Sequence, residues 1–141
     1  MKFIRLAAIA AVVVAISACA PRNDTQYYSI QEVLNSSKAK EVLDPNIKLY
    51  FGTPAPGEVV RAGATTSQRT NALNKTDAEA CNWVFLSAVK RMQEGARRAG
   101  VTKVGNIVSN YNHKEFSSTT QFECHAGRTM AGVALKGDIT K

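Results

Sequence analysis

Three cysteines and two histidines are the residues with the most distinctive chemistry in this 141-residue sequence. Cys124 and His125 are adjacent, and together with Cys81 and His113 they would make a Cys2His2 zinc or copper site if the thiols were reduced. No pair among them has the C-x-x-C or H-x-x-x-H spacing that is typical of zinc sites. A disulfide between Cys81 and Cys124 is the alternative, and it leaves His113 and His125 as the candidate metal ligands.

The sequence patterns that could indicate catalysis are weaker than those for a metal site. There is no G-x-S-x-G nucleophile motif, and the eleven acidic residues are scattered without a recognisable acid/base spacing. Glu115 and Glu123 could be imagined as a carboxylate pair, but surface charge is the simpler interpretation. The sequence therefore predicts no enzyme, no catalytic residue and no cofactor.

The beginning of the chain has the pattern of a secretory signal. Lys2 and Arg5 precede an uncharged run, residues 6–20, which contains the small residues Ser17 and Ala18. A transmembrane helix needs about 20 apolar residues to cross about 30 Å of hydrocarbon, and this apolar run is shorter. We therefore interpret residues 1–18 as a signal peptide.

The end of this signal, Ile16-Ser17-Ala18-Cys19, resembles the lipobox of bacterial lipoprotein precursors. The resemblance implies that Cys19 is acylated and becomes the first residue of the mature chain. Cleavage after Ala20 is the alternative and would release a soluble periplasmic protein, but Pro21 after that bond is unfavourable because of its fixed φ and missing N–H. Ala20, in place of Asp, resembles the sorting pattern for the outer membrane rather than the inner.

Export has consequences for the remaining cysteines. With Cys19 acylated or removed, Cys81 and Cys124 form an even pair in an oxidising compartment, which favours a disulfide. Closing that loop would stabilise the fold by about 4 kcal/mol on the chain-entropy model. Phe122 and Cys124 alternate with Glu123, so both should lie on the buried face of a strand beneath the helix that contains Cys81.

The mature chain is basic. Two of the 18 Lys and Arg residues lie in the signal, so 16 basic residues face 11 acidic ones, a net charge of 16 − 11 = +5. Positive side chains recur at helical spacing at Lys90, Arg91, Arg97 and Arg98. This cluster is a candidate contact for an anionic surface, although a solvated helix face is the commoner explanation. Export argues against a nucleic-acid partner.

Hydrophobic periodicity predicts one α+β domain, residues 29–141, preceded by a polar tether, residues 19–28. Ser29 and Ser37 are candidate N-caps of two short helices, and residues 47–51 alternate as a strand. Residues 53–74 should be the most mobile part, with only Val59 and Val60 as strand candidates. The capping box Thr76-x-x-Glu79 begins a long amphipathic helix that ends before Gly100, and its apolar stripe includes Phe85 and Met92. Trp83, like these two residues, is expected in or near the core.

Three further strands are predicted after that helix, at residues 101–111, 119–125 and 129–139, with a turn at 112–114. The expected architecture is a small antiparallel sheet with one long amphipathic helix packed on one face.

Four stretches of this chain resemble a family of small exported proteobacterial proteins of unknown function, which often carry the label excinuclease ATPase subunit. They are residues 45–52, 81–88, 122–127 and 131–137. The chain has neither a G-x-x-x-x-G-K-[ST] phosphate loop nor paired C-x-x-C zinc knuckles, so that label does not fit its chemistry. The order of elements also resembles the small domain of RcsF-type stress-sensing lipoproteins and of YbjQ-type proteins linked to heavy metals, a likeness of topology only.

These observations lead to one expectation and one alternative. We expect a non-enzymatic lipoprotein of the cell envelope that faces the periplasm, held to the membrane by its lipid and acting as an interaction or sensing module for an unknown envelope protein. The alternative is a periplasmic metal-binding or metal-responsive protein that uses His113 and His125.

Overall fold

A computed structural model describes residues 22–141, which form a six-stranded sheet, three α-helices and one 3-10 turn. In chain order the elements are β1 Asp24–Ser29, α1 Ile30–Leu34, α2 Ser37–Val42, β2 Lys48–Phe51, β3 Val59–Asn71, α3 Asp77–Arg98, β4 Lys103–Ser109, the 3-10 turn Tyr111–His113, β5 Gln121–Ala126 and β6 Met130–Thr140. The class is α+β, as the sequence predicts. In the described part of the chain, no helix is both long enough and apolar enough to span a bilayer.

Strand β6 lies at the centre of the sheet. The strand order is β1-β5-β6-β4-β2, and β3 pairs with β6 along nearly its whole length. On the other edge of β6, β5 pairs near Ala131 and Gly132 while β4 pairs from Leu135 to Thr140. The sheet therefore curls into a half-barrel. It is larger than the small sheet predicted, and it is not wholly antiparallel, because β2 and β4 run parallel.

Helix α3 begins where the sequence predicts. The Thr76 side chain caps it by accepting a hydrogen bond from the Glu79 N–H at 3.1 Å. Its apolar stripe, including Phe85 and Met92, is buried against the sheet face that carries Phe122 and Leu135. Phe85 and Phe122 stack with ring centroids 3.9 Å apart at the centre of this core. Burial of this single interface is the main source of stability expected for so small a domain.

Two segments that were expected to be mobile or to act as a tether are strands, although Val59 and Val60 were strand candidates. Residues 59–71, within the region predicted to be mobile, form β3, the longest strand described. Residues 24–28, the part of the predicted tether beyond Asn23, belong to β1, which pairs antiparallel with β5. Both are polar strands, so their backbone pairing outweighs their lack of hydrophobic alternation.

The short helices follow the sequence with one shift. Ser29 caps α1 as predicted, accepting a hydrogen bond from the Glu32 N–H at 3.2 Å. The cap of α2 is Ser36 rather than Ser37, because the Ser36 hydroxyl is the one that accepts from Ala39 N–H.

Candidate functional site

Cys81 and Cys124 are bonded to each other. Cys81 lies in the first turns of α3 and Cys124 in β5, both without solvent exposure, with Cα atoms 5.9 Å apart. The predicted disulfide is confirmed, and Phe122 and Cys124 share the buried face of β5 as expected. Because both thiols are used in this bond, a Cys2His2 metal site is ruled out for the oxidised protein.

The two histidines lie in different surroundings. His113 is exposed in the 3-10 turn, with a left-handed backbone at φ 59°. His125 is half-buried: its Nε2 lies 2.8 Å from Glu123 Oε2, and its ring stacks on Tyr111 with centroids 3.5 Å apart. Within residues 22–141, no group of three or more His, Cys, Asp or Glu residues is placed to hold a metal ion.

The two carboxylates that the sequence offered as a pair have separate partners. Glu115 accepts a hydrogen bond from Lys136 Nζ at 2.8 Å, and the pKa of Lys136 is raised by this contact. Glu123 bonds to His125. Each carboxylate is therefore engaged in a local contact rather than facing the other across a reaction site.

The predicted basic cluster lies on the solvent face of α3. Arg91 and Arg98 approach the same carboxylate, Glu94, at 3.4 and 3.7 Å. Arg97 lies 3.0 Å from Asp44 in the loop after α2. Counting these two acids against Lys90 and the three arginines leaves 4 − 2 = +2 charges. The face attracts anions less strongly than the sequence alone suggests.

Trp83 is the residue on this face that the sequence misplaced. It was expected in or near the core, as Phe85 and Met92 are, but its side chain is 48% exposed. Lys38 Nζ lies 4.8 Å from the centroid of its ring. The Trp83 groove, a shallow cavity of about 130 Å³ between α2 and α3, is lined by Lys38, Val42, Trp83, Leu86, Ser87 and Lys90.

The misplacement of Trp83 has a simple cause. The buried side of α3 is a wide arc that includes the consecutive residues Val84, Phe85 and Leu86. Each residue turns the helix by about 100°, and this step places Trp83 just outside that arc. Trp83 lies in line with Ser87 and Lys90 at three- and four-residue spacing, which is the signal that could have placed it on the polar face.

An ion pair and a hydrogen bond join β1 and the residue Arg22 before it to the first turn of α3. Arg22 Nη2 donates to both carboxylate oxygens of Asp77, at 2.6 and 2.8 Å, and Gln26 Nε2 donates to the same group at 2.8 Å. These hydrogen bonds, from Arg22 first and Gln26 second, hold the pKa of Asp77 below its ordinary value. The pKa of Asp44 is also lowered, mainly by the Asn46 N–H and then by Arg97.

Cys19, the predicted lipidation site, lies outside the described residues, as does the predicted signal peptide. No protein-family model matches this chain, and no curated protein or solved structure matches it either.

Proposed function

We propose that this protein is a non-enzymatic lipoprotein of the cell envelope, anchored through Cys19 and acting as an interaction or sensing module on the periplasmic side. The observation that supports this most strongly is the buried Cys81–Cys124 disulfide that joins α3 to β5. Structural disulfides persist in oxidising compartments and are rare in the cytosol. That agrees with the export signal read from the sequence. The outer membrane is the proposed destination, and a soluble periplasmic protein is the alternative.

An anchor at Cys19 would hold the domain close to its membrane. Strand β1 begins at Asp24, so five residue steps separate it from Cys19. Even a fully extended chain spans at most about 3.6 Å per residue, which limits this reach to about 18 Å. The domain would therefore touch or nearly touch the lipid head groups.

The Trp83 groove is the proposed contact for a protein partner. An exposed tryptophan beside a small apolar groove is typical of the residues that dominate binding energy at protein interfaces. Lys38 and Lys90 flank the groove and would give the contact a preference for acidic partners. Since the arginines farther along α3 already have acidic neighbours, we assign this face to a protein rather than to lipid.

The anchor is tested by the intact mass of protein purified from membranes. Acylated protein beginning at Cys19 is expected, and Cys19→Ser should remove the acyl mass and shift the chain to the soluble fraction or leave the precursor uncut. An unmodified mature chain beginning at Pro21 in the wild type would contradict the lipoprotein assignment. Density-gradient fractionation then separates outer from inner membrane.

The partner-binding face is tested by photo-crosslinking in intact cells. A crosslinking amino acid at Ser87, inside the groove, should trap a discrete adduct that Trp83→Ala weakens by about tenfold or more. The matched control is the same amino acid at Lys40, exposed on α2 but outside the groove. Equal adducts from both positions would remove the groove as the interaction site.

A further inference from the structure

We propose that a second surface, on the opposite side of the sheet from α3, binds the phosphate of an anionic phospholipid head group. This surface, the arginine cleft, is a cavity of about 450 Å³ lined by Arg22, Asn23, Arg69, Tyr111, His125, Gly127, Arg128, Thr129, Met130, Ala131 and Gly132. The inference rests on the proposed envelope location, since it names the membrane partner of the anchored domain.

The floor of the arginine cleft is a row of three residues on neighbouring strands. Gly132 of β6 is paired on one side with Arg69 of β3 and on the other with His125 of β5. Adjacent strands lie about 4.8 Å apart, so Arg69 and His125 stand about 10 Å from each other across a position without a side chain. The Tyr111 ring covers part of this row, because a Cβ at Gly132 would lie 3.4 Å from Tyr111 Cε2 and 3.8 Å from Arg69 Cγ. The open part of the cavity therefore lies beside the row, where Arg128 also lines it.

Two of the arginines that line the arginine cleft lack an acidic partner among the described residues, whereas Arg22 and His125 contact carboxylates. The lining contains three arginines and a histidine and no acidic residue among the described residues. Arg22 is held by Asp24 at 2.9 Å and by Asp77 at 2.6 Å, which neutralises it locally. Arg69 and Arg128 form no ion pair within residues 22–141, so they carry the uncompensated charge. Guanidinium groups match phosphate oxygens with two parallel hydrogen bonds, which makes arginine well suited to this ligand.

The walls of the arginine cleft are held in place by tight packing. The Tyr111 ring lies flat on His125, with an interplanar angle of 9°, and closes one side. Glu123 engages His125 Nε2 and so fixes the orientation of the ring. On the other side, a Cβ at Gly127 would come within 2.8 Å of the Arg22 carbonyl oxygen, so only glycine lets the β5–β6 turn approach the segment before β1.

An exposed apolar side chain lines the arginine cleft, since Met130 is 46% exposed. A second, Leu73, is 54% exposed and follows Ala72, whose N–H donates to the carbonyl of the lining residue Thr129 at 2.9 Å. Cationic groups with apolar neighbours are the usual composition of surfaces that lie in a membrane interface.

The position of the arginine cleft relative to the anchor selects the source of the phosphate. Arg22 and Asn23 line it, and Arg22 is three residue steps from Cys19, a span of at most about 11 Å. A lipid attached at Cys19 would therefore place this surface at head-group level. A head-group phosphate is the anion present there at high effective concentration.

The binding test uses the mature chain with Cys19→Ser, so that no acyl group contributes to membrane affinity. The chain with its wild-type cleft should bind vesicles of phosphatidylcholine and phosphatidylglycerol more strongly than vesicles of phosphatidylcholine alone. The double variant Arg69→Gln/Arg128→Gln should bind the vesicles that contain phosphatidylglycerol about thirtyfold more weakly. The matched control, Lys48→Gln/Arg61→Gln, removes the same charge at exposed positions outside the cleft and should have a much smaller effect.

Inorganic phosphate provides the second arm. It should shift the backbone amide resonances of Gly127 and Gly132 in the wild-type cleft and not in the arginine double variant. Phosphate binding without vesicle binding would overturn the head-group assignment, and so would equal losses in the two double variants. None of these results depends on whether Cys19 is acylated, so failure here is distinguishable from failure of the anchor.

Orientation on the membrane gives an independent readout in the acylated protein. Trp83 is the single tryptophan of the chain and lies across the sheet from the arginine cleft. In vesicles with brominated lipid tails, the fluorescence of Trp83 should be little quenched, whereas a Met130→Trp/Trp83→Phe variant should be strongly quenched. The reverse pattern would overturn docking by this surface.

Discussion

Gln93 and Asp44 form a reciprocal pair of hydrogen bonds that joins α3 to the loop before β2. Gln93 Oε1 accepts from the Asp44 N–H at 2.8 Å, and Nε2 donates to the Asp44 carbonyl at 3.0 Å and to that of Ile47 at 3.1 Å. Gln93 is 2% exposed, so its side-chain amide takes the place of water as the hydrogen-bond partner of these loop groups. The loop backbone is satisfied by one side chain from the helix.

Replacing this amide should therefore destabilise the protein. Gln93→Leu keeps approximately the volume but leaves the Asp44 N–H and the Ile47 carbonyl without this partner, and the Asp44 carbonyl keeps only the Ile47 N–H at 3.3 Å. The free energy of unfolding should therefore fall by about 1 to 3 kcal/mol. Urea denaturation measures the loss. Gln31→Leu is the control, because Gln31 is exposed and bonds only to the Asn35 side chain. Similar stabilities for the two variants would show that this contact contributes little.

Reduction of the disulfide should also lower stability. The bond closes a loop with a sequence separation of 43 residues, and the chain-entropy model gives about 4 kcal/mol for a loop of this size. Thermal melts with and without reductant should differ clearly for the wild type and not for Cys81→Ala/Cys124→Ala. Native protein with two alkylatable thiols would contradict the bond itself.

Acid should weaken the attachment of β1 to α3. The pKa of Asp77 is below its ordinary value of 3.8 in the folded chain, because the charged form accepts hydrogen bonds from Arg22 and Gln26. The contribution of Asp77 to stability is therefore complete at pH values above its ordinary pKa. It is lost as the pH falls through the lower pKa that Asp77 has in the folded chain. The stability difference between wild type and Asp77→Asn should shrink between about pH 7 and about pH 3. A difference independent of pH would exclude this ion pair as a source of acid sensitivity.

Two glycine substitutions should have opposite effects. A Cβ at Gly95 in α3 would meet only Ile139 Cδ1, at 3.5 Å, so Gly95→Ala should stabilise the helix by about 0.5 to 1 kcal/mol. A Cβ at Gly105 in β4 would lie 2.4 Å from the backbone nitrogen of Ala55, which must move. Gly105→Ala should destabilise by about 1 to 3 kcal/mol. Chemical denaturation of both variants measures the two changes in the free energy of unfolding. Changes of the same sign would contradict this packing.

The elements with strong periodicity were predictable from the sequence. The stripe of α3, its cap at Thr76 and strands β4, β5 and β6 all lie within a few residues of the predicted bounds, because burial of an apolar face fixes them. Strand β3 was not predictable in this way. Its half-buried residues on the α3 side include Thr66, Gln68 and Thr70, so no hydrophobic alternation marks it, and only pairing with β6 defines it.

The arginine cleft was also not predictable from the sequence, and the reason is different. Arg22, Arg69, Tyr111 and Arg128 come from four separate segments with no shared motif or spacing. Their proximity is created by the strand order, which places β3 and β5 on either side of β6. A sequence pattern can indicate a helix face such as that of Lys90 and Arg91, but it does not indicate neighbours across a sheet.

The central place of β6 constrains the order in which this chain can fold. Strands β3, β4 and β5 all precede β6 in the sequence, yet each of them hydrogen-bonds to it. Under the export proposed above, these three strands would leave a translocation channel before the strand that joins them. The half-barrel can close only after β6 is available, so the strand edges that pair with β6 stay exposed until then.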